Sequence, residues 1–211
     1  MPVKCPMVLL FLPNTPGVLK TWSPGAGIIA PMFPAIFLDR DGVIIENRPA
    51  YVRSWADVEI FPQALAALAG VKNSGYRIAV VTNQAGIGKG LIPPEAAQEI
   101  NRRLIEEIEK AGGKIDGIFV CPHTPEDRCD CRKPLPGLFF QAAKALSIDL
   151  SRSIMIGDGL NDLKAGLAAG IERVALVRTG LGAQQLQSPE ASSLEPFPVY
   201  DTVSEALSEL I

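Results

Sequence analysis

Ala35-Ile36-Phe37-Leu38-Asp39-Arg40-Asp41-Gly42 joins an unbroken apolar run to two acids two positions apart and a glycine. Such a run without alternation suits a strand buried on both faces of a parallel sheet, with Asp39 delivered at its carboxyl end. The pattern recurs downstream. Arg77 to Val81 predicts a second buried strand leading into Thr82 and Asn83, Ile115 to Val120 a third, Ser153 to Ile156 a fourth running toward Asp158, and Arg173 to Val177 a fifth. Between them the spacing turns helical. Pro62 to Asn73 is opened by proline, and Pro94 to Ala111 carries Ile100, Leu104, Ile105 and Ile108 on one side before Gly112 and Gly113 stop it. Helices are also expected at about Gly137 to Leu146 and Leu160 to Ala169. Strands alternating with helices predict a three-layer α/β/α sandwich around a mainly parallel sheet. Ligands in such sheets sit beyond the carboxyl ends of the strands, where Asp39, Thr82 and Asp158 all fall.

The rest of the chain fits one Rossmann-like domain of the α/β class. Its 211 residues are 47% hydrophobic and 20% charged, which excludes a disordered or fibrous chain. Residues 1–33 are proline-rich, charged only at Lys4 and Lys20, and lack helical or alternating periodicity, so they read as a leader or as the product of an early start codon. The domain is expected over 34–211, with an irregular stretch from Gly180 to Pro198 and a closing helix near Val203 to Leu210. The formal charge of −3 provides no global basic field for nucleic acid. No apolar run approaches the roughly 20 residues of a membrane span. A soluble, cytoplasmic, monomeric protein is expected.

Chemistry concentrates in a few places. A hard dication would let Asp39 and Asp41 coexist at a strand end, although solvated turn acids would look the same. Thr82, with the amides of Val80-Val81-Thr82-Asn83-Gln84, can hold phosphate oxygens. The glycines of Gly86-Ile87-Gly88-Lys89-Gly90 lack the spacing of a phosphate-binding loop. Cys121-Pro122-His123 and Cys129-Asp130-Cys131 contain the only histidine and form a four-ligand set suited to a closed, structural Zn²⁺ site. Four unliganded side chains on a loop is the alternative. Lys133-Pro134 follows directly, so a metal there would also fix the segment presenting Arg132 and Lys133. Asp158, between Gly157 and Gly159, can complete a Mg²⁺ site supported by Asp162 on the next helical turn, or either acid can simply cap that helix.

The ordered set Asp-x-Asp-Gly, strand-end Thr, Lys-Pro and Gly-Asp-x-x-x-Asp resembles the haloacid dehalogenase superfamily of aspartate-nucleophile phosphatases. Phe-Leu-Asp-Arg-Asp-Gly, Val-Thr-Asn-Gln and Cys-Pro-His…Cys-Asp-Cys-Arg-Lys-Pro are similar to the heptose 1,7-bisphosphate phosphatases and related histidinol-phosphatases. The resemblance spans about residues 34 to 181. It implies that Asp39 attacks the phosphoryl group, that Asp41 acts as acid and then base, and that Thr82 and Lys133 hold the transferring oxygens. It further implies Mg²⁺ on Asp39, the Asp41 carbonyl and Asp158. The second acid favours phosphoryl transfer over dehalogenation. The intervals from Asp41 to Thr82 and from Thr82 to Lys133 are filled by predicted core elements, leaving no room for a large cap domain. By resemblance, substrate contacts come instead from Asn47, Tyr51, Asn83, Gln84 and Arg132.

Two departures bear on the substrate. Gly159 stands where this family usually carries a substrate-contacting lysine, and the Asn47 to Tyr51 loop is one residue longer and adds Arg48. The reaction class expected is phosphate release from a small phosphorylated metabolite. Heptose bisphosphate leads, with histidinol phosphate, another sugar phosphate or a nucleic-acid 3′-phosphate as rivals. A catalytically inactive, zinc-stabilised binding module is the reading from a different class.

Overall fold

The computed structural model describes residues 32–194 and 196–211; the leader expectation, apart from its last two positions, lies outside the described residues. Strand β1 (Ala35–Leu38) is buried throughout, as its unbroken apolar run requires. It is flanked by β2 (Arg77–Asn83) and β4 (Ile154–Gly157), with Leu38 opposite Val80 on one side and Ile156 on the other. Strands β3 (Gly117–Cys121), β5 (Arg173–Val177) and the short β6 (Val199–Tyr200) complete a parallel sheet of order β3-β2-β1-β4-β5-β6.

Helix α1 (Pro62–Gly70) packs against α3 (Pro94–Lys110) and the C-terminal α7 (Val203–Leu210). Helix α4 (Gly137–Leu146) lies on β2 and β3, and α5 (Leu160–Ala168) on β4 and β5. Short helices α2 (Ala85–Gly88) and α6 (Gly182–Gln185) follow β2 and β5. The chain winds outward from β1 to β2 and β3, then returns to the other side of β1 as β4. That reversal opens a crevice at the carboxyl end of β1. Among the described residues no large cap is inserted.

Several expected boundaries move. Phe33, assigned to the leader, belongs to the fold: its N–H donates to the Ser147 carbonyl at 2.9 Å, its carbonyl accepts from Asp149 N–H at 2.8 Å, and the Arg77 guanidinium lies 4.4 Å above its ring. β2 continues through Thr82 and Asn83 because these still pair with Val120 and Cys121. α1 stops at Gly70 rather than Asn73, since Val71 to Ser74 closes a turn ahead of Gly75 at φ +83°. β3 starts two residues late because the Asp116 carboxylate accepts the Ile78 N–H at 2.8 Å, a side chain taking a ladder partner's place. The two-residue β6 carried no readable pattern, and Gly182–Gln185 adds one helical turn to the irregular stretch.

Phe37 is fully enclosed on β1 with its ring centroid 4.9 Å from that of Phe139 on α4. Replacing it with alanine removes the contact joining the central strand to that helix. We expect Phe37→Ala to cost about 3–5 kcal/mol of unfolding free energy in urea titrations.

Candidate active site

Three strand ends and one loop meet in the crevice. Asp39 leaves β1 with its N–H still bonded to the Ile156 carbonyl at 3.1 Å, so the sheet itself aims the first carboxylate. Gly42, at φ +84°, turns the chain beneath Asp158, and a Cβ there would fall 2.0 Å from Asp158 Oδ2. Gly157 does the same for Asp162, whose Cβ would lie 2.3 Å from any side chain placed at 157. These two positions bring backbone and carboxylates closer than any larger residue permits.

Lys133 enters the crevice from the cysteine loop and is 3% exposed. Its Nζ donates to the Val81 carbonyl at 2.7 Å and lies 3.0 Å from Asp39 Oδ1 and 2.5 Å from Asp162 Oδ1. Asn83 holds it there, its Nδ2 donating to the Lys133 carbonyl at 3.0 Å and its Oδ1 accepting the Lys133 N–H at 3.1 Å. Asn83, expected against substrate, thus has both ends of its amide on the Lys133 backbone.

Other expected substrate contacts are likewise engaged within the protein. Asn47 Nδ2 donates to Asp158 Oδ2 at 2.8 Å, and Leu181 N–H meets the same oxygen at 2.8 Å. Gln84 Nε2 donates to Asp41 Oδ2 at 2.8 Å and to Thr82 Oγ1 at 2.9 Å, while the Thr82 hydroxyl lies 3.5 Å from Asp41. Tyr51, at φ +65°, accepts from Lys89 Nζ at 3.0 Å. Gly159 gives its N–H to Asp162 Oδ2 at 3.0 Å, which starts α5. Arg132 Nη1 donates to the His123 carbonyl at 3.2 Å. Asp39, Asp41, Asn47, Tyr51, Thr82, Asn83, Gln84, Lys133, Asp158 and Gly159 all line one cavity of about 300 Å³. Arg132 lies in an adjoining recess of about 440 Å³ with Arg128, and Lys133 and Asn161 border both.

The acids form an electrostatically unfinished set. Ligand oxygens of Asp39, Asp158 and Asp162 lie within 4.8 Å of one another, with Lys133 as their cation. Burial raises Asp39 well above the carboxylate range, although Lys133 pulls it down. Burial, then the neighbouring Asp162, lifts Asp158 to about 7. Burial also opposes charge on Lys133, but Asp162 and Asp39 outweigh it and hold the lysine above its ordinary range. An oxygen-lined site with surplus negative charge fits a hard dication such as Mg²⁺. Asp162, read at first as a support, stands in this cluster with Asp39 and Asp158. Asp41 turns its carboxylate toward Thr82 and Gln84, so only its carbonyl remains as the ligand expected of it.

The second cluster fits a different metal. Sγ–Sγ separations among Cys121, Cys129 and Cys131 are 3.4–3.7 Å, and His123 Nδ1 lies 3.6 Å from Cys121 and 3.4 Å from Cys131. Ligands at about 2.3 Å for sulfur and 2.0 Å for nitrogen in a tetrahedron would be separated by roughly 3.5–3.8 Å. A disulfide would need about 2.05 Å. Hydrogen bonding from Cys131 chiefly, against burial, lowers the Cys121 thiol to about 6, favouring the thiolate a metal requires.

Comparison with known proteins bears on this geometry. Residues 130–206 match the model of the HAD-hydrolase-like family. The D-glycero-β-D-manno-heptose-1,7-bisphosphate 7-phosphatase of Pseudomonas putida is 36% identical over 176 residues, covering 83% of this chain and 98% of that protein. The enzyme of the same name from Neisseria meningitidis serogroup A is 38% identical over 171 residues, covering 80% and 89%. The chain belongs to the family of these bisphosphate phosphatases, within the HAD-like hydrolases. Family members are phosphoric monoester hydrolases. A crystal structure of the D,D-heptose 1,7-bisphosphate phosphatase of B. bronchiseptica, complexed with magnesium and phosphate, superposes with a TM-score of 0.77 at 34% identity, covering 84% of this chain and 97% of that one. The phosphatase fold therefore accounts for the crevice. Two buried residues behind it, Arg40 and Asn101, took no role from the sequence, because Arg40 fills the unspecified position of Asp-x-Asp and a lone Asn on a helix carries no motif signal.

Because Asp158 binds its proton more tightly in the folded protein than the roughly 3.9 of an unfolded Asp, its ionisation opposes folding as pH rises. Without Mg²⁺, the stability of wild type relative to Asp158→Asn should fall from about pH 4 to about pH 7, by at most about 1.4 kcal/mol per unit, and level off above. Thermal unfolding of both proteins across this range checks it, and added Mg²⁺ should flatten the difference.

Proposed function

We propose that this protein hydrolyses the 7-phosphate of D-glycero-β-D-manno-heptose 1,7-bisphosphate through an aspartyl phosphate. The observation that carries the reaction is Lys133 Nζ lying 3.0 Å from Asp39 Oδ1 at the end of β1, in a cavity shared with Asp41 and Thr82. The substrate follows that of the named relatives, matched over most of their length.

In this reading an Asp39 oxygen bonds to phosphorus as the bond from phosphorus to the sugar's C7 oxygen breaks. Asp41 gives that oxygen its proton. Lys133 and the Thr82 hydroxyl hold the transferring oxygens and spread their charge. Asp41 then takes a proton from water, the water oxygen bonds to phosphorus, the bond to Asp39 breaks and phosphate leaves. Mg²⁺, held by Asp39, Asp158 and the Asp41 carbonyl with Asp162 beside them, would lower the repulsion between phosphate and carboxylates. Asn47, Gln84 and Asn83 act by holding Asp158, Asp41 and Lys133 in place. Tyr51 and Gly159 line the sugar's side of the cavity, and Arg132 with Arg128 offers the adjoining recess a second phosphate site.

Zn²⁺ on Cys121, His123, Cys129 and Cys131 fixes the loop that ends at Lys133. Net charge suits a small anionic metabolite held by a few local cations rather than nucleic acid. The described residues contain no helix long and apolar enough to cross a membrane; a cytoplasmic monomer is part of the same proposal.

Phosphate release should be fastest from the β anomer of heptose 1,7-bisphosphate with Mg²⁺, ahead of the α anomer, histidinol phosphate and a 3′-phosphorylated oligonucleotide. Asp39→Asn should lose at least about 10³-fold in kcat, as removal of a covalent nucleophile does. Preference for another substrate would overturn the heptose reading, and turnover unaffected by Asp39→Asn would overturn the mechanism. Elemental analysis of purified protein should find about one zinc per chain, and Cys131→Ser should lose both the metal and at least about tenfold of the activity through disorder at Lys133.

A further inference from the structure

Arg40 heads the fully enclosed large side chains of the described residues at 1% exposure, although it stands between two acids of the crevice. Its guanidinium is committed in two directions. Toward the cavity, Nε donates to Asp41 Oδ2 at 3.0 Å, and Nη2 lies 3.0 Å from Oδ2 and 3.2 Å from Oδ1. Away from it, Nη1 donates to Asn101 Oδ1 at 2.9 Å.

Asn101 lies on the buried face of α3 among Ile100, Leu104 and Ile105, with 0% exposure. Its Nδ2 has no hydrogen-bond partner among the described residues. An unpartnered buried amide destabilises a fold, and an apolar side chain would avoid that cost. What Asn101 supplies is its oxygen, which holds the far edge of the guanidinium so that the near edge faces Asp41. With Gln84 and Thr82 on the other flank, the Asp41 carboxylate is gripped from both sides.

We propose that Arg40, held by Asn101, is a positioning residue for Asp41. The pair fixes the carboxyl's orientation and stabilises the negative charge that develops on Asp41 as it passes its proton to the leaving oxygen. The inference rests on the reading of Asp41 as the acid. A group acting this way matters most when the leaving oxygen needs a proton and least when it leaves readily as an anion.

The test compares burst-phase phenol release from phenyl phosphate, whose leaving oxygen needs that proton, with release from p-nitrophenyl phosphate, whose leaving oxygen does not. Restricting the measurement to the burst excludes the later attack of water. Asn101→Leu should lower the ratio of the phenyl to the p-nitrophenyl rate about tenfold, and Arg40→Met up to about 100-fold, within the range of general acid catalysis. Thermal unfolding establishes that each variant is folded, and if Arg40→Met fails to fold, Asn101→Leu decides. A ratio unchanged in Asn101→Leu, whether both rates fall together or neither falls, overturns the proposal, because a purely structural role moves both alike. Asp41→Asn separates the two levels of the argument. It should lower the ratio at least as far as Arg40→Met, and a wild-type ratio there sinks the reading of Asp41 as acid, and the positioning role with it.

Discussion

A single ammonium group, Lys133 Nζ, sits where three carboxylates converge at the end of a fully buried strand. Burying Asp39, Asp158 and Asp162 so close together costs free energy that one lysine does not fully offset, and the raised pKa values of Asp39 and Asp158 express first that loss of solvation and then the mutual repulsion. That repulsion suits the site to its ligands. A dication held there would offset that charge and let an anionic phosphoryl group approach.

Holding Lys133 in place requires the rest of the structure. Asn83 grips its backbone from β2, and the Val81 carbonyl takes one of its protons. The cysteine cluster lies in the loop that delivers it, so a metal held by those four side chains would bear on the position of Lys133. Gly42 and Gly157 permit the approach of backbone to carboxylate that assembles the opposite wall. Behind the second acid, Arg40 and Asn101 form a support that reaches through the core to α3.

Much of this was legible in the sequence. Unbroken apolar runs have one good home, a strand covered on both faces, so β1, β2, β4 and β5, with the acids that follow β1 and β4 and the Thr82 that ends β2, could be read directly from Ala35–Asp39, Arg77–Thr82, Ser153–Asp158 and Arg173–Val177. The four-ligand cluster could be read too, since thiolates and an imidazole at that spacing have a restricted chemistry. What could not be read was the direction each polar side chain takes. Asn47, Asn83 and Gln84 follow the strands and turns that suggest substrate contacts, yet each is spent on another residue of the site.

The reason is physical. Periodicity and residue chemistry are local, so the sequence by itself determined the class of fold, the strand ends that carry acids, the clustering of three cysteines with the histidine and, through its ordered motifs, the reaction class. Hydrogen-bond partners separated by 111 positions, as Asn47 and Asp158 are, or by 61, as Arg40 and Asn101 are, depend on how layers pack. Only the tertiary structure decided those pairings, because burial makes each polar group find a partner nearby in space rather than along the chain.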